Sequence, residues 1–343
     1  MLTRIALSTL LLTGCVTHHE SADSSAVAAR AVRGDFKALN RLGYMYYYGE
    51  GLPKDLGKAV ECFAIAAAGG DMLAQFNMGL CCANGEGVPK DLGKAFDWYM
   101  RAAQRGLPEA QLNVGVYLVE GRGVAIDRAS AFRWYQLAAR GGMSLAITNL
   151  GICYYNGEGV AVNHAVAAKY FLVAAELGRV RAQFMLGRCY EKGEGVIADQ
   201  RLAAYWYEKA ANQGLKEGQY CFALSLERGS GVPIDRVRSM EYLRQSADQG
   251  FTAAQLLLGV RYFNGEDGPR NNGLAYGWVL LASAAGDERA ASLVQYFIIK
   301  MSPEDQANGR EFAARFRPKT PQVAEQEATE ETRRKKILFD RGA

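Results

Sequence analysis

A chain of 343 residues with 49% apolar and 22% charged side chains can build a core, and its formal charge of +4 is too weak a field to mark a nucleic-acid binder. No basic stripe interleaved with aromatics stands in it. Length alone suggests two or three globular domains, but an internal period replaces that reading. Glycine recurs as Gly43, Gly79, Gly115, Gly151, Gly187 and Gly259, spaced by 36 residues or a multiple of it, with Ala223 in the one remaining place. Gly70, Gly106, Gly142, Gly178, Gly214, Gly250 and Gly286 run in step, so seven units follow one another without insertion. A period of this length means an array in which each unit buries its apolar face only against its neighbours.

In chain order, Met1 to Leu12 is one basic residue, Arg4, followed by the apolar run Ile5 to Leu12, a secretory signal too short to span a bilayer as a helix. Leu12, Thr13, Gly14 and Cys15 close it and resemble the lipobox of bacterial lipoproteins, in which the cysteine becomes the acylated first residue. The resemblance implies a signal peptide over 1–14, lipidation at Cys15 and a polar tether over 15–25. Several acyl chains anchor firmly, since each buried methylene contributes about 0.8 kcal/mol. Val16 is not the aspartate that usually retains such proteins at the inner membrane, so an outer-membrane lipoprotein facing the periplasm or the surface is expected. The alternative is an ordinary cleaved signal with an incidental cysteine, giving a soluble exported protein.

The run Ser24 to Arg33 reads as a lone capping helix, giving an N-terminal capping segment over 26–34, and 35–286 reads as the seven repeats. In the second unit, Asp71 to Ala83 carries apolar residues at helical spacing, with Ala74, Met78 and Cys82 on one stripe and Gly79 beside it. This is helix A. Gly85 to Lys90 form a loop, and Asp91 stands at an N-cap position. Asp55, Asp127, Asn163, Asp199, Asp235 and Asn271 occupy the same place elsewhere, all of them capping residues. Helix B follows over Lys94 to Gln104, with Ala95, Trp98, Tyr99, Ala102 and Ala103 on its packing face and Gly106 ending it. The phase of Trp98, Trp134, Tyr170, Trp206 and Trp278 predicts the core-filling aromatics, and the glycines of helix A predict close approach of helix B. Over 287–316, Glu288 to Lys300 and Ser302 to Phe316 read as closing helices, the second with Ser302 as N-cap and Pro303 at its first position. Residues 317–343, with acidic Glu325 to Glu331 and basic Arg333 to Lys336, read as a charged mobile tail.

The run Ala182, Leu186, Gly187, Tyr190, Gly193, Gly195, Val196, Asp199, Ala203, Trp206, Ala210, Ala211 and Gly214 resembles the Sel1-like repeat pattern almost in full. Tetratricopeptide repeats share the helical hairpin but have a shorter period. The resemblance covers about Gly34 to Gly286 and implies an all-α, right-handed α/α superhelical solenoid of seven 36-residue Sel1-like, TPR-like hairpins with capping helices at both ends. Unit six departs most, with Ala223, Ser239, Leu243 and Ser246, and unit seven has Asp267 in place of a loop glycine, so less regular packing is expected there.

Chemistry is hard to find. Cys81, Cys153 and Cys189 share one phase, so Cys153 and Cys189 lie one repeat apart, about 10 Å, beyond the roughly 7 Å limit for a disulfide. The cysteines read as small buried apolar residues, with a Cys189 to Cys221 contact left open. His18, His19 and His164 have no cysteine or carboxylate at metal-ligand spacing. The G-x-G loops follow helices and are turns, not nucleotide fingerprints. Some Sel1-like proteins are linked to β-lactam binding or hydrolysis, but no S-x-x-K, K-T-G or S-D-N motif is present. No catalytic residue, no cofactor and no metal is expected.

What remains is a surface. Two residues before the first glycine stand Arg41, Asn77, Asn113, Asn149, Met185, Cys221 and Leu257. Three successive asparagines form either an amide ladder for an extended peptide or hydrogen bonds to neighbouring helices. Tyr47, Tyr155 and Arg188 on nearby phases supply anchors for the same groove. The expected protein is a monomeric, non-catalytic adaptor, lipid-anchored in the cell envelope, whose concave groove binds an envelope or host protein or peptide. A second reading is a cell-wall-associated protein that binds peptidoglycan fragments or β-lactams, weakly hydrolytic at most. A third places it in a secretion or polysaccharide-export complex.

Overall fold

The structure is a computed structural model that describes residues 22–319 apart from Asp267. The signal segment, Cys15 and the tail beyond residue 319 lie outside the described residues. Among the described residues there are 17 α-helices and no strand. They fall into two compact units divided between Val162 and Asn163. The first holds α1 (Ala22–Val32), α2 (Phe36–Tyr48), α3 (Leu56–Ala68), α4 (Met72–Asn84), α5 (Leu92–Gln104), α6 (Pro108–Glu120), α7 (Arg128–Arg140) and α8 (Ser144–Asn156). The second holds α9 (His164–Glu176), α10 (Val180–Lys192), α11 (Gln200–Asn212), α12 (Lys216–Arg228), α13 (Arg236–Asp248), α14 (Thr252–Asn264), α15 (Asn272–Ala284), α16 (Glu288–Lys300) and α17 (Pro303–Arg315). Each unit is an α/α stack of helical hairpins in which sequence neighbours pack on one another. The N-terminal helix begins at Ala22, inside the stretch expected to be tether, and buries Ala31.

The starts of the B helices are set by the expected residues, whereas α6, α8, α10, α12 and α14 begin after Leu107, Met143, Arg179, Leu215 and Phe251 without a side-chain cap. Asp55, Asp91, Asp127, Asn163, Asp199, Asp235 and Asn271 each accept the backbone N–H of the third residue on, at 2.9–3.1 Å. In the first unit Asp91 and Asp127 also donate their own N–H to the preceding helix A, at Cys82 O and Leu118 O. One residue thus starts helix B and closes the hairpin.

Two kinds of close approach set the spacing. The first is side chain on backbone: a Cβ added at Gly79 would lie 2.6 Å from the Tyr99 ring, so the hole left by glycine is filled by an aromatic 20 residues on. Gly43 with Phe63, Gly115 with Tyr135 and Gly187 with Tyr207 repeat the arrangement. The second is backbone on backbone. Gly123, at φ 67°, lies in the loop of unit three, and a Cβ there would fall 2.5 Å from Gly93 N and 2.6 Å from Leu92 O, at the start of helix B in unit two. Gly87 on Leu56, Gly159 on Arg128, Gly195 on His164 and Gly231 on Gln200 make the same contact. No side chain fits between two main chains in that position.

The pairing corrects the aromatic assignment by one residue. The core fillers are Phe63, Tyr99, Tyr135, Phe171 and Tyr207, whereas Trp98, Trp134, Tyr170 and Trp206 are half-buried. Adjacent helical residues point about 100° apart, so only one of two neighbouring aromatics can face the glycine. Trp98 instead lies under the Arg101 guanidinium, 4.5 Å from its ring centre. Trp278 is the exception and is buried, because Phe312 and Phe316 of the closing segment pack on it. Unit six, expected to be irregular, compensates in size: Ala223 shares its core cluster with Leu243, which stands where other units have an aromatic. Ser239 Oγ donates to Ala223 O at 2.9 Å, so the buried hydroxyl is satisfied.

In five units a buried glutamine ties the turn to the following helix; unit four has Ile147 in that place. Gln75, Gln111, Gln183, Gln219 and Gln255 donate Nε2 to Ala67, Ala103, Ala175, Ala211 and Ala247 carbonyls at 3.2–3.4 Å. These carbonyls belong to the last turn of helix B, which lacks partners within its own helix.

At the C-terminal end, α17 packs on α15 through glycines: a Cβ at Gly277 would meet the Phe312 ring, and one at Gly309 would lie 2.7 Å from the Tyr276 ring. Ser302 caps α17, accepting Asp305 N–H at 3.1 Å, with Pro303 first in the helix. The mobile tail expected from residue 317 is corrected at its first residues. Lys319 donates its N–H to Asp248 O at 2.8 Å, and its ammonium meets the Asp248 carboxylate at 2.6 Å.

Cys62, Cys81, Cys82, Cys153 and Cys189 are buried and Cys221 half-buried, all as free thiols. Burial pushes the Cys81 and Cys153 thiols up to about 12, with nearby Glu86 and Glu158 adding to the effect. They serve as small apolar fillers.

Gly106 offers an internal control for Gly123, since it also has positive φ, at 95°, but open space around its Cβ position. Gly106→Ala is expected to cost about 1 kcal/mol in urea unfolding and Gly123→Ala about 2–4 kcal/mol. Equal losses would mean that the backbone contact contributes nothing beyond φ.

Candidate binding face

The first unit presents one face of α2, α4, α6 and α8, the A helices. Asn77 Nδ2 donates to Asn40 Oδ1 at 2.8 Å, which joins α4 directly to α2. Asn77 has no exposed surface and Asn113 is 6% exposed, so neither reaches solvent as the rung of a ladder would. Asn149 alone of the three is half-buried. Of the two sequence readings of this phase, hydrogen bonding to a neighbouring helix is what Asn77 does. Its partner sits 37 residues away, one off the period, which hides the pair from a search in steps of 36.

Arg41 is half-buried, its guanidinium 5.9 Å from the Tyr44 ring centre. Tyr47 is half-buried and donates its hydroxyl to Glu86 Oε2, in the loop of the next unit, at 2.6 Å. Burial, then the Glu86 carboxylate, pushes the Tyr47 phenol far above its ordinary range, so it stays a donor. Asn84 Nδ2 donates to the same carboxylate oxygen at 3.1 Å. Tyr155 is half-buried at the phase of Tyr47.

Between these two tyrosines the same phase holds Ala83 and Val119, both half-buried, with half-buried Val116 and Ile152 beside them. One residue on stand Tyr48, Asn84, Glu120 and Asn156, all exposed. The A-helix face of the first unit is therefore an apolar and aromatic strip, one contact per repeat, edged by polar tips. Single exposed apolar residues are ordinary, but a strip in register across four helices is a surface of the kind used for binding. Tyr47 and Tyr155 were legible as anchors; Ala83 and Val119, which complete the strip, carried their signal only in the period.

In the second unit the strip's phase holds Glu191, Glu227 and half-buried Phe263, so the corresponding face mixes charged and apolar positions. Arg188 is half-buried, 5.9 Å from the Phe184 ring centre, and Glu191 accepts the Tyr207 hydroxyl at 2.8 Å. Arg261 is buried and meets the Glu227 carboxylate at 2.6 Å. Arg188, expected in the same groove as Tyr47 and Tyr155, stands on α10 of the second unit. Among the described residues no group of three or more His, Cys, Asp or Glu side chains is placed to hold a metal ion.

The repeat geometry has known counterparts. The Sel1 repeat model matches seven times, at residues 36–71, 73–107, 108–143, 144–178, 180–215, 218–251 and 252–287. Among solved structures, the chain is similar to a protective antigen present in uropathogenic Escherichia coli strains that displays an SLR fold, with 33% identity and a TM-score of 0.74. The match covers 86% of this chain and spans 64% of that one. It is also similar to a Sel1 repeat protein from Oxalobacter formigenes, with 31% identity, a TM-score of 0.66 and 80% of each chain covered. No curated protein matches. Sel1 repeat proteins serve as protein-interaction scaffolds. With seven matched repeats over most of its length, the chain belongs to the Sel1 repeat family.

Proposed function

We propose that this protein is a non-catalytic adaptor that binds a protein or extended peptide along the A-helix face of its first unit. The observation that carries this reading is the strip Tyr47, Ala83, Val119 and Tyr155, half-exposed at one residue per repeat and edged by Asn84, Glu120 and Asn156. An extended peptide advances about 3.3 Å per residue, so successive repeats at about 10 Å contact every third residue. Apolar positions would seat its side chains, and the polar tips would meet its backbone. Membership of a family of interaction scaffolds supports the same reading.

The location proposed is the outer surface of a membrane, reached through cleavage before Cys15 and lipid attachment to that cysteine, with Val16 favouring the outer membrane. The partner is then an envelope or host protein, and the adaptor acts as a monomer.

A photo-crosslinking residue at Tyr155 in intact cells is expected to give a discrete protein adduct, with none from Lys209, an exposed helix-B residue. Val119→Arg should reduce that adduct about tenfold while helicity is retained. Equal labelling from both positions would contradict the assigned face. Cys15→Ser is expected to abolish incorporation of labelled palmitate and move the protein from the membrane to the soluble fraction; persistent membrane association without label would contradict lipid anchoring.

A further inference from the structure

The second unit carries three aliphatic side chains that project almost clear of the molecule. Ile197 is 91% exposed, Val237 72% and Ile234 65%; among the described large apolar residues only Ile299 stands out as far. Scattered apolar residues are ordinary on a surface, so it is their placement that counts. Ile197 lies in the loop before α11, Ile234 in the loop before α13, and Val237 in the first turn of α13, three residues from Ile234.

The two loops touch. A Cβ at Gly231 would lie 2.0 Å from Gln200 O and 2.6 Å from Arg201 N, so the loop that holds Ile234 rests on the start of α11, three residues past Ile197. Ala198, Leu202 and Pro233, all exposed, extend the patch. It spans one repeat step, about 10 Å.

Two cations stand in the same patch. Arg201 and Arg236, at the starts of α11 and α13, are exposed, and neither guanidinium is paired with a carboxylate among the described residues. The nearby carboxylates are engaged: Asp199 and Asp235 accept the N–H groups of Leu202 and Arg238 at 3.1 and 3.0 Å, and Glu208 pairs with Arg238 at 2.8 Å. The two capping carboxylates offset the partial positive charge of their own helix starts, so the charge this edge offers outward is that of Arg201 and Arg236.

A protein partner closes around its anchors, and aromatic anchors dominate such contacts. Here branched aliphatic tips have solvent on nearly every side. The boundary between lipid headgroups and acyl chains deforms to fill the space around them, and anionic phosphates match exposed guanidiniums.

We propose that this edge of the second unit rests in an anionic lipid surface, with Ile197, Ile234 and Val237 entering the headgroup boundary and Arg201 and Arg236 on the phosphates. Three such side chains bury less than one acyl chain, which alone gives only marginal, reversible attachment. The contact therefore orients a chain held by other means and does not replace the anchor, so the Cys15→Ser chain still leaves the membrane fraction. It stands apart from the adaptor reading; only its consequence, a fixed orientation of the second unit over the membrane, rests on the proposed lipid anchoring.

The test uses the purified mature chain from Cys15 on, not acylated, with a photo-crosslinking residue at Ile197 and vesicles of phosphatidylethanolamine and phosphatidylglycerol at millimolar lipid. Leu177, apolar and 51% exposed at the C-terminal end of α9, is the control position. The expected result is a lipid adduct from Ile197 and about fivefold less from Leu177. The Ile197 adduct should fall about tenfold when phosphatidylcholine replaces both lipids, about fivefold or more in Arg201→Gln with Arg236→Gln, and about tenfold in Ile234→Asn with Val237→Asn. All four substituted residues are exposed, so circular dichroism should be unaltered, which separates loss of contact from loss of fold. Equal adducts from both positions, a yield insensitive to lipid charge or to the substitutions, or no lipid adduct would each overturn the proposal. A discrete protein adduct from Ile197 in intact cells, without lipid labelling, would overturn it too and assign the edge to a protein. Failure here leaves the Tyr155 adduct and the palmitate label untouched.

Discussion

Everything regular in this molecule depends on a contact between two main chains. In unit three the loop glycine Gly123 rests on the backbone of Leu92 and Gly93, where helix B of unit two begins. The contact admits no Cβ, and it recurs at Gly87, Gly159, Gly195 and Gly231. Backbone-to-backbone approach is less adjustable than side-chain packing, because neither surface has rotamers to change. It fixes the spacing of successive hairpins, and the softer contacts then fall at equal intervals: an aromatic into the glycine of helix A, a glutamine onto the last carbonyls of helix B, an aspartate on the next N-terminus.

Equal spacing has a functional consequence. A half-buried residue such as Tyr47 gains neighbours of the same phase in each following unit, and Ala83, Val119 and Tyr155 become a continuous strip rather than scattered apolar residues. The cost of ordering a long binding surface is carried by the fold, so a bound peptide need order only itself. In the second unit the same phase holds Glu191 and Glu227 before returning to an aromatic at Phe263, so the character of the surface is set by single residues of the repeat. Function in this fold is written on positions that leave the packing contacts untouched.

The architecture was legible because its determinants are backbone requirements that few residues meet. Positive φ and close approach call for glycine, the starts of the B helices call for Asp or Asn, and both recur at 36 residues, with Ala223 and Asp267 the exceptions among the glycines. Side-chain direction was harder to read. Trp98 and Tyr99 are both aromatic and adjacent, and only the position of Gly79 in space selects Tyr99. Asn77 was read as a possible ligand contact because polar residues are mostly exposed, yet Asn40 satisfies it inside the stack. The glutamine clamp stood in plain view as a period of Gln, but its role needed the carbonyls of Ala67 and Ala103 to be placed beside it. The attachment of Lys319 to Asp248, 71 residues apart, left no trace in local sequence.

If identical contacts between neighbours hold the array, one whole unit can be removed and the flanking units will re-form the same interface. Excision of residues 107–142 places the Gly159 loop over Leu92, where Gly123 now sits. The most direct measurement is urea unfolding of that variant followed by circular dichroism and by tryptophan fluorescence. The expected result is a helical chain with a single transition seen alike by both probes and a smaller denaturant slope, since less surface is exposed on unfolding. A variant that is unfolded in water, or that loses tertiary fluorescence well before helicity, would show that the contacts are not interchangeable and contradict the spacing mechanism.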